Sequence, residues 1–218
     1  IPRQGSLAEE LEGRIVFEPD FRRPEALRGL DGFDYIWLVW EFNLNGHPPG
    51  ASVGSPRPDR GASLTVRPPR LGGNERVGVF ASRSPFRPNG LGLSSVRIAR
   101  IDFDRCEIAV RGADLADGTP IYDIKPYIPY TDSHPEARSG FAGEREWQRL
   151  EVRAASPELE GTLAASLTPQ QLRALYEILA EDPRPAFHDD PAKEYGLTFA
   201  GHNIRFRVTA GILIILSI

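Results

Sequence analysis

Short apolar segments, each closed by glycine or proline, fill the first 130 residues and restrict the fold more than any other feature of this chain. The 218 residues include 21 glycines and 20 prolines, which interrupt most segments before a helix of ordinary length can form. Segment 33–42 (FDYIWLVWEF) has apolar residues at both parities, which predicts a strand covered on both faces. Many short strands with few helices favour a closed β-barrel or a sandwich. Further strands are predicted at 14–17, 64–67, 77–81, 96–101 and 107–110, with an edge strand at 121–130 and one helical turn at 24–30.

A second unit begins after about residue 133, where the composition changes. Thr168, Pro169 and Gln171 match a capping box and predict the start of a helix, and leucines follow it at the spacing of one helical face. Strands are predicted at 147–154, 203–208 and 211–218. We therefore expect a mainly β protein, with an N-terminal β-barrel domain over residues 1–135 and a small α+β C-terminal domain over residues 136–218.

Composition excludes several classes of protein. Cys106 is the only cysteine, which excludes an intrachain disulfide and a multi-cysteine zinc site and suits a reducing compartment. The four histidines are scattered without ligand spacing, so no metal site is expected. No apolar run approaches the ~20 residues of a membrane helix. The start of the sequence has no signal-peptide pattern, so we expect a cytoplasmic protein without membrane association. Because the chain lacks methionine, we also expect residues before Ile1.

Charge is distributed unevenly along the chain. From Arg57 to Arg100 there are nine arginines and only two acidic residues, although the whole chain has a formal net charge of −4. Such a basic segment in an acidic protein is typical of a local anion-binding surface. Scattered, solvated arginines would give the same count, and the charge alone leaves both interpretations open.

Two loops in this basic segment could hold a ligand. Segment 67–74 (RPPRLGGN) places Arg67 and Arg70 beside prolines that restrict the backbone. Segment 78–94 (GVFASRSPFRPNGLGLS) presents Arg83, Arg87 and Asn89 on a loop whose prolines prevent a helix. Its Gly-Leu-Gly run is not a phosphate loop, because a strand and not a helix is predicted to follow it. Exposed turns remain the alternative for both segments.

The segment DGTPIYDIKPY, at 117–127, places three chemically active side chains on one strand face. Asp123, Lys125 and Tyr127 occupy every second position, so on a strand they share one face. A carboxylate, an ammonium group and a phenol in a row could form a surface ladder, bind a polar ligand or move a proton. Spacing alone leaves these three alternatives open.

Taken together, these segments resemble one protein family. The motifs IPRQGSL, RGLDGFDYIWLVWEF, RPPRLGGN, GVFASRSPFRPNGLGLS, DGTPIYDIKPY, DPRPAF and NIRFRV occur in this order over almost the whole chain. The chain closely resembles the TrmO family, also called TsaA-like or YaeB-type proteins. The resemblance implies an S-adenosylmethionine-dependent tRNA methyltransferase, built on a β-barrel and active as a homodimer. It also implies a substrate, tRNA that carries threonylcarbamoyladenosine next to the anticodon, methylated at N6.

Matching motifs carry candidate site residues over from this family. Those expected to bind S-adenosylmethionine are Gly5, Ser6, Leu7, Asn43, Leu44, Arg83, Leu93, Arg111, Gly112, Ala113 and Asp114. Four signature positions are expected to bind substrate: Arg67, Arg70, Arg87 and Asn89. The catalytic candidates are Asp123, Lys125 and Tyr127, with Asp123 as the first candidate for a proton acceptor. The alternative function is a non-catalytic RNA- or nucleotide-binding module that uses the same basic loops.

Overall fold

The computed structural model describes residues 10–45, 64–68, 75–144, 149–184 and 190–218. The strands are β1 Glu12–Val16, β2 Tyr35–Glu41, β3 Thr65–Val66, β4 Val77–Gly78, β5 Leu91–Asp102, β6 Glu107–Arg111, β7 Ile121–Pro126, β8 Glu151–Ala154, β9 Tyr195–Phe199, β10 His202–Thr209 and β11 Ile212–Ser217. The α-helices are α1 Pro129–Asp132, α2 Phe141–Glu144, α3 Pro157–Ser166 and α4 Pro169–Ala180. Short 3₁₀ helices span Pro19–Phe21, Pro24–Leu27, Leu30–Gly32, Asn43–Asn45 and Val79–Ala81.

The N-terminal part is built on an antiparallel five-stranded sheet. Its strand order is β1-β6-β5-β2-β7, with β3 and β4 paired separately. One face of the sheet, here called the inner face, carries a buried apolar core that includes Ile15, Leu27, Ile36, Leu38, Trp40, Val96, Ile108 and Val110. A mainly β fold is therefore confirmed. Among the described residues β1 and β7 are open edges, so the predicted barrel closure stays a prediction.

Only one face of β2 is fully buried, which corrects the expectation of a strand covered on both sides. Ile36, Leu38 and Trp40 point into the core, whereas Trp37 and Val39 are half-buried on the opposite, outer face. The pattern has apolar residues at both parities because the outer face of β2 carries aromatic side chains.

The bounds of three predicted strands differ from those of the structure, and proline ends one of them. β7 lies at a sheet edge as predicted, but it ends at Pro126, and Pro129 then begins α1. The strand predicted at 77–81 keeps only two residues before a 3₁₀ helix. β5 is longer than predicted and begins immediately after Gly90, which excludes a phosphate loop there.

The C-terminal part combines a four-stranded sheet with α3 and α4. The strand order is β8-β11-β10-β9, with β8 parallel to β11 and the predicted pairing of the last two strands confirmed. Leu163 and Leu167 from the α3 region pack with leucines of α4 against β10 and β11. α3, which the Ser156 hydroxyl caps, was not predicted, because only one residue within this helix is buried and no apolar stripe marks it. β9 was not predicted either.

Side chains of α4 contact the segment that enters β1. Gln170 donates from Nε2 to the Glu10 carbonyl at 3.3 Å, and Arg173 forms an ion pair of 3.3 Å with the Glu10 carboxylate. Glu177 accepts the Glu10 backbone N–H at 3.2 Å. The edge of the N-terminal sheet is thereby joined to the C-terminal helix through polar contacts.

None of the helices in the described part of the chain is long and apolar enough to cross a membrane.

We expect Thr168→Ala to lower the free energy of unfolding by about 0.5–2 kcal/mol, because Thr168 supplies the N-cap of α4. Its Oγ1 accepts the Gln171 N–H at 3.2 Å, and its own N–H is donated to Gln171 Oε1 at 2.9 Å. Urea unfolding followed by circular dichroism measures the change. Thr162→Ala is the matched control, since this exposed hydroxyl bonds only to the Glu158 carbonyl within α3. Equal effects of the two substitutions would contradict the capping role.

Candidate cofactor and substrate site

Three strand ends meet at one end of the N-terminal sheet. The N–H of Phe42, just after β2, is donated to the Gly90 carbonyl just before β5, at 2.8 Å. The Glu41 N–H is donated to the Pro120 carbonyl just before β7, at 3.1 Å. The segments that follow β2, precede β5 and precede β7 therefore meet here. We call residues 41–45, 82–92 and 112–122 the loop end of the sheet.

A buried chain of hydrogen bonds lies under this loop end. Trp40 Nε1 donates to Ser94 Oγ at 3.0 Å, and Ser94 Oγ donates to Asp114 Oδ1 at 2.6 Å. Ser94 is 4 % exposed, so loss of either bond would leave a polar group unsatisfied in the core. The serine therefore fixes the orientation of a carboxylate that belongs to a predicted cofactor-binding segment.

Two glycines allow this arrangement. A Cβ on Gly92 would lie 2.3 Å from the nearest ring atom of Trp40, so only glycine lets the indole reach Ser94. Gly90 has φ 62°, a left-handed conformation that glycine adopts at no steric cost, and its carbonyl faces Phe42. The Gly-Leu-Gly run thus shapes the start of β5.

The predicted segment Arg111–Asp114 is divided between the two faces of the sheet. The Gly112 N–H is donated to the Leu11 carbonyl at 3.0 Å, and Ala113 packs against the inner core. Arg111 points to the outer face, where its Nε is 3.7 Å from a Glu12 carboxylate oxygen. Of these four residues, Asp114 is the one joined to the buried chain.

The loop between β4 and β5 is held partly by its own side chains. Arg87 Nη1 donates to the Ser82 carbonyl at 2.5 Å and lies 3.4 Å from the Val79 carbonyl, while Ser82 Oγ donates to that same carbonyl at 2.9 Å. Arg83 is exposed and has no ion pair or hydrogen bond with the described residues. Arg87 therefore shapes a loop that presents Arg83 to solvent.

Other predicted residues lie around the loop end or apart from it. Asn43 and Leu44 lie in the 3₁₀ helix after β2, and Leu44 is exposed. Asn89 is exposed beside Gly90, and Arg67 is exposed directly after β3. Four predicted residues lie outside the described part of the chain: Gly5, Ser6, Leu7 and Arg70.

The catalytic candidates lie on the outer face. Asp123 and Lys125 form an exposed ion pair of 3.1 Å. By strand register Asp123 is opposite Val39, which is opposite Leu93, a predicted cofactor contact whose side chain is 57 % exposed. Tyr127 follows β7, with its ring centroid 5.6 Å from that of Trp37. Asp123 is thus close to the loop end and Tyr127 is further away.

A tyrosine–carboxylate pair at the loop end was not predicted. The Tyr122 hydroxyl donates to Glu41, and this hydrogen bond together with burial raises the pKa of Tyr122 to about 12. The phenol therefore stays protonated at neutral pH and serves as a donor. Its partner is 81 positions away in the sequence, so no local pattern could reveal the pair. Ser94 could have been predicted from the sequence, because the alternation along a strand places it on the same inward face as Gly92 and Val96.

Comparison with known proteins identifies the family. The profile of the tRNA-methyltransferase O N-terminal domain matches residues 1–133, and that of the TrmO C-terminal domain matches residues 148–218. The chain belongs to the TrmO family. The tRNA (adenine(37)-N6)-methyltransferase of Escherichia coli K12 is 35% identical over 215 residues, which cover 96% of this chain and 86% of that protein.

Two further comparisons agree with TrmO membership. A Pseudomonas aeruginosa protein named as a candidate S-adenosylmethionine-dependent methyltransferase is 38% identical over 204 residues, or 90% of this chain and 80% of that protein. The crystal structure of TrmO from Pseudomonas aeruginosa has a TM-score of 0.74 at 27% identity, covering 100% of this chain and 88% of that one.

We expect Ser94→Ala to lower the free energy of unfolding by about 1–3 kcal/mol, because it leaves the Trp40 indole N–H and Asp114 without their shared partner. Chemical denaturation measures this loss. Ser95→Ala is the matched control, since Ser95 is the neighbouring residue on the outer face of β5. A destabilisation by Ser95→Ala as large as that by Ser94→Ala would contradict the account.

Proposed function

We propose that this TrmO-family chain transfers the methyl group of S-adenosylmethionine to N6 of an adenine next to the anticodon of tRNA, and that this adenine carries the threonylcarbamoyl group. The observation that carries the proposal is the Trp40–Ser94–Asp114 chain, which holds a carboxylate under the loop end in a TrmO-family sequence. The name of the Escherichia coli relative supports the adenine and the tRNA. The threonylcarbamoyl group follows from the sequence resemblance and is the part to test.

The residues at the loop end fit S-adenosylmethionine chemically. Asp114 can accept hydrogen bonds from the ammonium group or the ribose hydroxyls through the oxygen that Ser94 does not bind. Arg83 can pair with the carboxylate of the cofactor, and the exposed side chains of Leu44 and Leu93 can cover its adenine ring. When bound, the cofactor supplies a methyl group on a positively charged sulfur, which makes the methyl carbon electrophilic.

Alignment is the main catalytic contribution expected of the protein. Methyl transfer is an in-line displacement, so a nitrogen held opposite the carbon–sulfur bond gains most of its rate from positioning. Asp123 is our candidate to accept the N6 proton, and the Lys125 ammonium 3.1 Å away orients its carboxylate. Tyr122 keeps its proton at neutral pH and donates it to Glu41, which holds the Glu41 carboxylate at the loop end.

Exposed arginines suit the carboxylate of the threonylcarbamoyl group. Arg67 and Arg83 are exposed, and a guanidinium fork matches a carboxylate in geometry and charge. Arg70 and Asn89 remain candidates from the sequence. We assign Arg87 a dual role, since its contacts with the loop backbone leave other guanidinium nitrogens to face a ligand.

The assembly belongs to the same proposal. We propose that the N-terminal sheet closes into a barrel over residues 1–135, that residues 136–218 form the second domain, and that two chains form a homodimer in the cytoplasm. A chain that only binds RNA or nucleotides through the same loops is the second candidate function. The exposed guanidinium of Arg83 would suit both, but only an enzyme incorporates labelled methyl groups into tRNA.

We expect Arg83→Ala to weaken S-adenosylmethionine binding by about 1–3 kcal/mol, the value of a charge-assisted hydrogen bond. Isothermal titration calorimetry measures the affinity directly. Arg138→Ala, an exposed arginine far along the chain, is the control for a general loss of positive charge. If Arg83→Ala binds the cofactor with unchanged affinity, Arg83 is not part of the cofactor site.

We expect tRNA that lacks the threonylcarbamoyl group to be methylated about 10- to 100-fold more slowly than the matched modified tRNA, because one charge-assisted contact is lost. Labelled S-adenosylmethionine with the two tRNAs in parallel gives both rates. Equal rates would show that no arginine contacts the threonylcarbamoyl carboxylate. The arginines would then contact phosphates only, and their contribution to the affinity for tRNA would fall as salt is added. No incorporation into either tRNA would refute the enzyme function.

A further inference from the structure

The outer face of the N-terminal sheet carries a row of aromatic and basic side chains away from the loop end. Strand register places Tyr35 opposite Arg97, and Arg97 opposite Arg111. The Tyr127 N–H is donated to the Tyr35 carbonyl at 3.0 Å, which continues the row onto the edge strand. We call Tyr127, Tyr35, Arg97 and Arg111 the outer row.

The rings at one end of this row are fixed and partly open to solvent. The centroid of Tyr35 is 6.3 Å from that of Tyr127, which in turn packs against Trp37. Trp37 Nε1 donates to Asp132 Oδ2 at 2.9 Å, and the Ile128 N–H is donated to the same oxygen. These two donors, the backbone N–H first, lower the pKa of Asp132, so the contact persists through neutral pH. Tyr35 remains 39 % exposed on this rigid support.

The charges on this face leave the guanidinium group of Arg97 available. Glu12 is close to Arg111, Glu107 pairs with Arg14, and Asp123 pairs with Lys125. Arg97 is exposed, and within the described ranges its side chain has neither an ion pair nor a hydrogen bond. An anion from outside the chain can therefore bind Arg97 without displacing a carboxylate.

The outer row lies on the same face as part of the proposed site. Leu93 and Arg97 both point outward from β5 and are four residues apart. At ~3.3 Å per residue the separation is roughly 13 Å, which a short stretch of RNA can span. A nucleic acid on the outer row would thus approach the loop end along β5.

We propose that the outer row binds unpaired nucleotides of the tRNA substrate, which stack on Tyr35 and Tyr127 while Arg97 contacts a phosphate. Partly exposed aromatic rings on a sheet, next to the exposed guanidinium of Arg97, have the chemistry by which proteins bind single-stranded RNA. The proposal rests on the tRNA methyltransferase function and adds a surface for the nucleotides around the target adenine.

Fluorescence anisotropy with a fluorescein-labelled RNA anticodon stem-loop tests the proposal. The variants are Tyr35→Ala, Tyr35→Phe and Arg97→Gln, with Phe21→Ala and Arg207→Gln as exposed controls elsewhere on the chain. Circular dichroism checks folding, light scattering gives the mass, and calorimetry gives the S-adenosylmethionine affinity of each variant.

Stacking predicts that Tyr35→Ala weakens RNA binding about 5- to 100-fold, while Tyr35→Phe stays within about twofold because the ring is kept. Arg97→Gln is expected to weaken binding and to reduce the slope of log affinity against log salt by about 0.7–0.9. Both controls should bind RNA like the wild type, and all variants should keep the mass and the cofactor affinity.

Unchanged RNA affinity in both Tyr35→Ala and Arg97→Gln would overturn the proposal, and so would a change of mass, which would assign this face to a second copy of the chain. If the wild type methylates tRNA while these variants bind RNA normally, the proposal for the outer row is refuted and the proposed function stands. A wild type that neither binds the stem-loop nor methylates tRNA would refute the proposed function as well.

Discussion

The indole of Trp40 lies against the backbone of Gly92, and its N–H reaches Ser94 only because no side chain intervenes. The same serine donates to Asp114, which ties the segment after β6 to the start of β5. Since β5 pairs with both β2 and β6, this contact sets the position of three strands where their loops begin. The loop end, and any ligand held there, depends on this one buried hydrogen-bonded chain.

The two faces of the sheet carry different parts of the candidate site. The inner face holds the core and the Asp114 carboxylate, while the outer face carries Leu93, the ion pair of Asp123 and the aromatic row. A cofactor at the loop end would meet residues from both faces, since adjacent positions such as Leu93 and Ser94 point in opposite directions. A substrate approaching along the outer face would reach Asp123 and Leu93 together, which suits transfer between two bound molecules.

Local patterns in the sequence predicted the elements better than the site. The capping box at Thr168 and the edge position of β7 depend on neighbouring residues, so the sequence reveals them. Contacts such as Trp40–Ser94 and Glu41–Tyr122 join residues 54 and 81 positions apart, and nothing local marks them. The lengths of β2 and β4 were overestimated, because composition alone does not show where a neighbouring strand ends.

The position of the cofactor relative to Trp40 is the central claim and can be measured directly. The chain has three tryptophans, so a ¹⁵N-labelled sample gives few indole N–H signals, and Trp40→Phe assigns one of them. Titration with S-adenosylmethionine should shift the Trp40 indole signal progressively until the site is saturated, because its Ser94 partner also holds Asp114. Cofactor binding detected by calorimetry, with no shift of that signal, would contradict a site at the loop end.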